Sequence, residues 1–109
     1  MNRFRLLAAV AALSLGALAT ADKIPTWLVG KYTGYSSYMK ASFDLTISQD
    51  GLVFGRTQIG DKKSYAANGR YHHEELIIGH KIYGVNRRDF GIQIVNEGNR
   101  QDTVDLKKG

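Results

Sequence analysis

The sequence predicts an all-β protein, built as a small antiparallel up-and-down β-barrel of about eight short strands. Apolar and polar residues alternate with a period of two over much of the chain after residue 22. Turn residues, mainly glycine, aspartate and asparagine, interrupt this alternation every few residues. Residues 22–109 also contain ten aromatic side chains and a single proline. This composition favours strands and tight turns over helices.

The first 21 residues have the pattern of a targeting segment. Arg3 and Arg5 precede a long uncharged apolar stretch, and Ala19-Thr20-Ala21 supplies the small-x-small pattern of a signal peptidase site. We therefore expect residues 1–21 to be a secretory signal peptide and residues 22–109 to form a single β-barrel domain. Loss of the two arginines leaves 13 Lys and Arg against 10 Asp and Glu, a net charge of +3. The predicted location is periplasmic or secreted, with no membrane span after cleavage.

The sequence contains no cysteine, which excludes a disulfide scaffold and a lipoprotein anchor. Small exported domains usually depend on disulfides because their cores are thin. This chain must fold through apolar burial and backbone hydrogen bonds alone. That requirement favours a compact and closed architecture.

The predicted elements follow one another closely. Pro25 and Gly30 bracket a single 3₁₀ turn. The clearest strand is 41–48, because its apolar and polar residues alternate strictly. Asp50-Gly51 then predicts a hairpin turn, since this dipeptide accepts positive φ values. The eight predicted strands are residues 31–38, 41–48, 52–59, 64–71, 75–78, 81–86, 90–95 and 100–106.

Short connections between these strands predict a meander. An open meander of this length exposes its edges, and closure into a barrel removes them. A β-sandwich and an OB-like barrel are the alternative architectures. An eight-stranded barrel has an interior that side chains just fill, or that holds one small ligand. The predicted core consists of Trp27, Phe43, Leu45, Ile47, Phe54, Leu76, Ile78, Phe90, Ile92, Ile94, Val104 and Leu106.

The opening of the predicted domain resembles calycin-type barrels, which include the lipocalins and avidin-like proteins. Trp27 precedes the first strand, and Gly30, Tyr32 and Gly34 follow it. In lipocalins such a tryptophan closes one end of the barrel, and a basic residue of the last strand packs over it. The resemblance implies Arg100 for this role. The same stretch is also similar to small exported bacterial proteins that have no assigned function.

The tyrosines provide a candidate ligand site. A tyrosine combines a flat apolar face with one hydroxyl group, which suits small aromatic or acyl ligands. The alternative is that the tyrosines only fill the barrel and its ends. We predict an exported, non-enzymatic binding protein that carries a small apolar or amphipathic ligand. Its ligand-binding residues would be Tyr32, Tyr35, Tyr38, Tyr65 and Tyr83.

Two other functions stay open on the sequence. The first is a protein-interaction module, such as an inhibitor of an exported hydrolase, and the second is an envelope or surface antigen with no small ligand. An interaction module would present two basic turns, and weak contact with anionic envelope components is a further expectation. We expect no nucleic-acid partner, because export removes the chain from most nucleic acid and the net charge is small. The basic interaction residues are Lys62, Lys63, Arg87 and Arg88.

Catalytic and metal-binding patterns are weak. His72, His73 and His80, with Glu74 and Glu75, are metal-ligand types, but their spacing is not His-Glu-x-x-His. The intervening strand would hold the outer two histidines roughly 20 Å apart. The sequence has no Gly-x-Ser-x-Gly motif. We therefore expect surface histidines, no enzyme activity, no cofactor and no metal.

Overall fold

The computed structural model describes residues 23–109, so the predicted signal peptide lies outside the described residues. Within this range a 3₁₀ helix at Thr26–Leu28 precedes nine strands. No helix in the range is long and apolar enough to cross a membrane. The strands are β1 (Gly30–Ser36), β2 (Ala41–Ile47), β3 (Leu52–Ile59), β4 (Ser64–Ala66), β5 (Gly69–His72), β6 (Glu75–Ile78), β7 (Lys81–Arg88), β8 (Gly91–Asn96) and β9 (Thr103–Lys108).

Eight of these strands form a closed antiparallel barrel, which confirms the predicted fold class. The order around the barrel is β1-β2-β3-β5-β6-β7-β8-β9. β1 closes the barrel by pairing with β9, so that Tyr32 faces Lys108 and Gly34 faces Leu106. β4 is the ninth strand and pairs only with β3.

The predicted strand 64–71 is interrupted at Ala67 and Asn68, and therefore forms β4 and β5. Both segments pair with β3 in the same register. At the interruption the Ala67 N–H still donates to the Gly55 carbonyl oxygen at 2.8 Å. The Gly55 N–H donates to Asn68 Oδ1 at 3.3 Å, so a side chain replaces one backbone acceptor.

Side chains fill the interior of the barrel. Tyr32 and Tyr83 are the largest fully buried residues, and the Tyr32 hydroxyl donates to the Leu28 carbonyl oxygen at 2.8 Å. Aliphatic residues from all parts of the barrel surround them. The fully buried ones are Leu28, Leu45, Ile47, Val53, Leu76, Ile92, Ile94, Val104 and Leu106.

The predicted core is wrong at Phe54 and Phe90, which are 49% and 41% exposed, and Trp27 is only partly buried. Phe54 faces outward because β3 places Gly55 beside β2, where a Cβ atom would lie 2.2 Å from the Asp44 carbonyl oxygen. Only glycine permits this approach, so the register of β3 is set by Gly55 and not by the larger aromatic side chain. Phe90 lies in the turn between β7 and β8.

Candidate functional site

The five predicted tyrosines do not line one cavity. Tyr32 and Tyr83 lie inside the barrel as packed core, whereas Tyr35, Tyr38 and Tyr65 are exposed. Tyr32 and Tyr35 are three positions apart in β1, so they point to opposite faces of the strand. Burial raises the pKa of Tyr32, as expected for a phenol held away from water. A ligand site built from this set would require side chains from both surfaces of the barrel.

The predicted basic residues separate to the two ends of the barrel. Lys62 and Lys63 are exposed in the connection between β3 and β4. Arg87 and Arg88 were predicted in a turn but form the last two residues of β7, and the turn itself consists of Asp89 and Phe90. Because adjacent strands run antiparallel, the end of β3 and the end of β7 lie at opposite ends of the barrel. These residues therefore do not form one basic surface.

Trp27 lies at the end of the barrel where β1 and β8 begin and β7 and β9 end, and we call this the Trp27 end. The guanidinium carbon of Arg87 lies 5.0 Å from the centre of the Trp27 ring, in the range of a cation–π contact. Lys108 of the last strand donates from Nζ to the Trp27 carbonyl oxygen at 2.9 Å. The same Nζ lies 5.9 Å from the centre of the Tyr32 ring.

The role that the calycin resemblance implies for Arg100 is wrong. Arg100 lies in the connection between β8 and β9, at the opposite end of the barrel from Trp27. There its Nη1 pairs with Glu97 Oε1 at 3.1 Å. The cation over the indole is Arg87, which comes from β7 rather than from the last strand.

Two depressions of the surface meet at Trp27. The first has a volume of about 400 Å³ and is lined by three cationic side chains. The second has a volume of about 240 Å³ and is lined mainly by apolar side chains. Trp27 is the residue that lines both. The first depression is lined by Trp27, Arg87, Arg88, Asp89, Phe90, Gly91 and Lys108, and the second by Pro25, Trp27, Leu28, Tyr71, Glu74 and Val85.

The chain builds the first depression from a tight hairpin and the closing strand. The Lys108 N–H donates to the Phe90 carbonyl oxygen at 2.9 Å, which attaches β9 to the β7–β8 turn. Gly91 follows the turn with a φ of 153°, and a Cβ atom there would lie 2.3 Å from the Leu106 carbonyl oxygen. Glycine is therefore required where the β7–β8 hairpin approaches the backbone of β9.

The cations of the Trp27 end differ in how firmly they are held. Arg88 donates from Nη2 to Gln93 Oε1 at 3.0 Å, and Gln93 in turn donates to Asp105 Oδ1 at 3.1 Å. Within residues 23–109, neither Arg87 nor Lys108 forms an ion pair with a carboxylate. Arg88 has no carboxylate partner in this range either, but two neutral acceptors hold its guanidinium, the Gln93 side chain and the Arg87 carbonyl oxygen. Lys108 uses one donor on the Trp27 carbonyl oxygen, so Arg87 and the remaining donors of Lys108 are the groups that could meet an external anion.

A buried carboxylate, which the sequence analysis did not single out, lies at the other end, which we call the Asp102 end. Asp102 is 1% exposed. Its Oδ2 accepts from Asn96 Nδ2 at 3.1 Å and from Lys81 Nζ at 3.4 Å. Burial raises the pKa of Tyr83 to about 12, and the charge of Asp102 adds to this effect. Oδ1 of Asp102 has no hydrogen-bond partner among residues 23–109, so Oδ2 alone links the carboxylate to its neighbours.

Histidine and acidic residues do not converge on one point. Within residues 23–109 no three such side chains lie together in a way that would hold a metal ion. The rings of His72 and His73 contact each other edge to face, with 3.9 Å between their centres. His80 belongs to the next turn, between β6 and β7. The expected absence of a metal stays a prediction.

Comparison with known proteins gives no relative on which to base a function. No protein-family model matches the chain, and neither a curated protein nor a solved structure matches it significantly. The fold shows a small closed β-barrel, and a barrel alone does not specify an activity. The calycin resemblance stays a prediction, and any functional argument depends on the geometry of the Trp27 end.

Proposed function

We propose that this chain is a non-enzymatic binding protein that holds a small ligand at the Trp27 end of its barrel. The observation that supports this most directly is the pair of depressions that share Trp27. The proposal keeps the small apolar or amphipathic ligand predicted from the sequence. It moves the site from a tyrosine-lined interior to the end of the barrel. It also keeps a periplasmic or secreted location, following cleavage after residue 21.

The interior of the barrel is a poor alternative for the ligand. Eight strands enclose just enough space for side chains or for one small ligand. Here Tyr32, Tyr83 and a layer of aliphatic residues take that space. A ligand in the interior would have to displace fully buried aromatic side chains, which costs several kcal/mol for each of them.

The Trp27 end has the composition of a ligand site. Small-molecule sites combine aromatic surface with a few convergent polar groups and usually measure about 300–1,000 Å³. The larger depression, at about 400 Å³, combines Trp27 and Phe90 with the side chains of Arg87 and Lys108. The volumes at this end favour a ligand of small size.

The sequence provides its own reporter for the test, because Trp27 is the only tryptophan. The full chain would be expressed, and the purified product titrated with octanoate, 1-octanol and octylammonium while Trp27 fluorescence is recorded. We expect a saturable change with one molecule per chain for at least one probe. Intact mass spectrometry of the same sample shows whether residues 1–21 have been removed. A variant with Lys62 and Lys63 changed to Gln serves as the matched control at the other end.

Failure of all three probes to change the fluorescence, together with a bare mass in native mass spectrometry, would overturn the proposal. In that case the interaction module becomes the leading candidate. One observation favours it: the β7–β8 hairpin presents Arg87, Arg88 and the exposed Phe90 together. Arginine and aromatic residues are frequent energetic centres of protein interfaces. A chain with neither ligand nor partner would fit the surface-antigen hypothesis.

A further inference from the structure

We infer that the ligand of the Trp27 end is an amphipathic anion with a fixed orientation. Its charged head would lie in the depression lined by Arg87 and Lys108, and its apolar part in the depression lined by Leu28 and Val85. This inference rests on the proposed function, since it specifies the ligand class of the same site. Four features of the Trp27 end support it.

The first feature is the pair of unpaired cations. Arg87 and Lys108 line the same depression, and within residues 23–109 no carboxylate pairs with either of them. Asp89 is the single acidic residue of that lining. A guanidinium presents planar N–H donors that match a carboxylate or phosphate. The guanidinium carbon of Arg87 lies 5.0 Å from the centre of the indole ring, and a cation–π contact is not a hydrogen bond, so it leaves the N–H donors for an acceptor.

The second feature is the apolar surface of the smaller depression, which Trp27 also lines. Pro25, Leu28 and Val85 line the smaller depression together with Tyr71. Leu28 is fully buried beneath it, so the floor is continuous with the barrel core. An apolar group that enters here removes hydrocarbon surface from water, at roughly 25 cal/mol for each Å² buried. This depression therefore suits a short acyl or aromatic group.

The third feature is the acidic residue beside the apolar depression. Glu74 lines this depression, and it does not line the cationic one. Its carboxylate repels an anionic head from this side, while Arg87 and Lys108 attract it to the other. The two depressions thus differ in charge as well as in polarity, and the difference fixes which way an amphipathic anion lies.

The fourth feature is the rigid attachment of Trp27 between the two depressions. Its 3₁₀ helix is anchored by the buried Leu28, whose carbonyl oxygen accepts the Tyr32 hydroxyl at 2.8 Å. Lys108 holds the Trp27 carbonyl oxygen from the other side at 2.9 Å. These bonds hold the backbone on which the Trp27 side chain is mounted, which reduces the entropic cost of binding.

The experiment compares octanoate, 1-octanol and octylammonium, which share one chain length and differ in charge. We expect octanoate to bind on the order of 10-fold more tightly than 1-octanol, because hydrogen bonds to a charged group are stronger than those between neutral groups. Octylammonium should bind most weakly. Arg87→Gln should lower the octanoate affinity by about 5-fold or more and leave the 1-octanol affinity unchanged. Lys108→Gln also removes the bond to the Trp27 carbonyl oxygen, so it should weaken both ligands, and octanoate by the larger factor. A rising salt concentration should lower the affinity for octanoate and leave the affinity for the uncharged 1-octanol unchanged.

A variant that should strengthen octanoate binding still tests the inference if Arg87→Gln or Lys108→Gln folds poorly. Glu74→Gln removes the negative charge beside the apolar depression, and we expect octanoate to bind about 2-fold more tightly. The variant with Lys62 and Lys63 changed to Gln, at the other end of the barrel, should leave octanoate affinity unchanged. Vesicles of anionic phosphatidylglycerol and of neutral phosphatidylcholine distinguish a lipid headgroup from a free amphiphile. Binding to the anionic vesicles through Arg87 and Lys108 would assign the head to a lipid.

The outcomes separate this inference from the proposed function. Equal affinity for octanoate and 1-octanol would overturn the anionic ligand class and leave a binding site at Trp27. If the octanoate affinity is the same in Arg87→Gln, Lys108→Gln and Glu74→Gln as in the unchanged chain, the proposed orientation is overturned. If none of the three probes changes the Trp27 fluorescence, the proposed function is overturned, and the ligand class with it.

Discussion

The two ends of the barrel differ in the exposure of their charged side chains and in the partners that these side chains have. At the Trp27 end, Arg87 and Lys108 lie at the surface beside aromatic rings, with no carboxylate partner in residues 23–109. At the Asp102 end, a carboxylate lies almost fully buried and accepts hydrogen bonds from Lys81 and Asn96. Burial removes a charge from solvent and commits it to internal partners, whereas a surface cation without a partner is open to a ligand. The comparison teaches that the two ends differ in what surrounds their charges: Arg87 and Lys108 lie next to aromatic side chains in a depression, whereas the Asp102 carboxylate is enclosed by its own neighbours.

The largest expected effect on stability distinguishes the core of the barrel from the Trp27 end, and two phenylalanines test it. Phe43 is buried and pairs with Gly34 across β1 and β2, whereas Phe90 is exposed at the Trp27 end. We expect Phe43→Ala to lower the free energy of unfolding by about 3–5 kcal/mol, because it creates a cavity in the core. Phe90→Ala should change it by less than about 1 kcal/mol. Urea denaturation of both variants measures the difference, and equal losses would mean that the Trp27 end is part of the core.

An intermediate effect is expected at the buried carboxylate. Asp102→Ala leaves the Asn96 amide and the Lys81 ammonium without their acceptor, and should lower the free energy of unfolding by about 1–3 kcal/mol. Glu97→Ala breaks the exposed pair with Arg100 and should cost less than about 1 kcal/mol. Thermal and urea denaturation give both values. If the two losses agree, the hydrogen bonds of Asp102 contribute no more than a surface ion pair.

The smallest effect at neutral pH is expected from Tyr83→Phe, which should change the free energy of unfolding by about 1 kcal/mol or less. Its influence appears in alkali, because the pKa of Tyr83 is raised from 10.0 to about 12. Between these values the unfolded chain releases a proton that the folded chain retains, so stability falls as the pH rises. Below pH 10 this contribution is fully present. Urea denaturation from pH 9 to 11.5 should show a shallower loss in the variant, and identical slopes would exclude Tyr83 as the group responsible.

Much of the barrel was predictable because local patterns determine it. The predicted bounds of 52–59 and 75–78 match β3 and β6, since hairpin turns and period-two alternation are short-range signals. The period-two alternation was insufficient where contacts between neighbouring strands determine which way a side chain faces or where a strand ends. Gly55 turns Phe54 outward through its approach to β2, and Asn68 interrupts a strand through a bond to its neighbour. Neither contact is visible in a single strand's alternation.

The candidate site was less accessible to sequence reasoning than the fold. Trp27 and Arg87 were each singled out, but for different reasons, and 60 positions separate them in the sequence. Only barrel closure brings β7, β9 and the 3₁₀ helix to one end. The last predicted strand ends at residue 106, whereas β9 extends to Lys108, because the partner of Lys108, the Trp27 carbonyl oxygen, belongs to the opposite end of the described chain. Asp102 was missed because an isolated aspartate beside a turn carries no pattern that distinguishes it.

The closing pair of strands has a kinetic consequence. β1 and β9 join residues as distant in sequence as Tyr32 and Lys108, whereas most other neighbours in the barrel are joined by short turns. The entropic cost of closing a loop grows with its length, and distant pairing slows folding. Joining these strands should therefore be a late and slow event, and until then both remain open to pairing with another molecule. Lys108 contacts Trp27 only once β1 and β9 have paired. The fluorescence of the single tryptophan would therefore report the closure of the barrel.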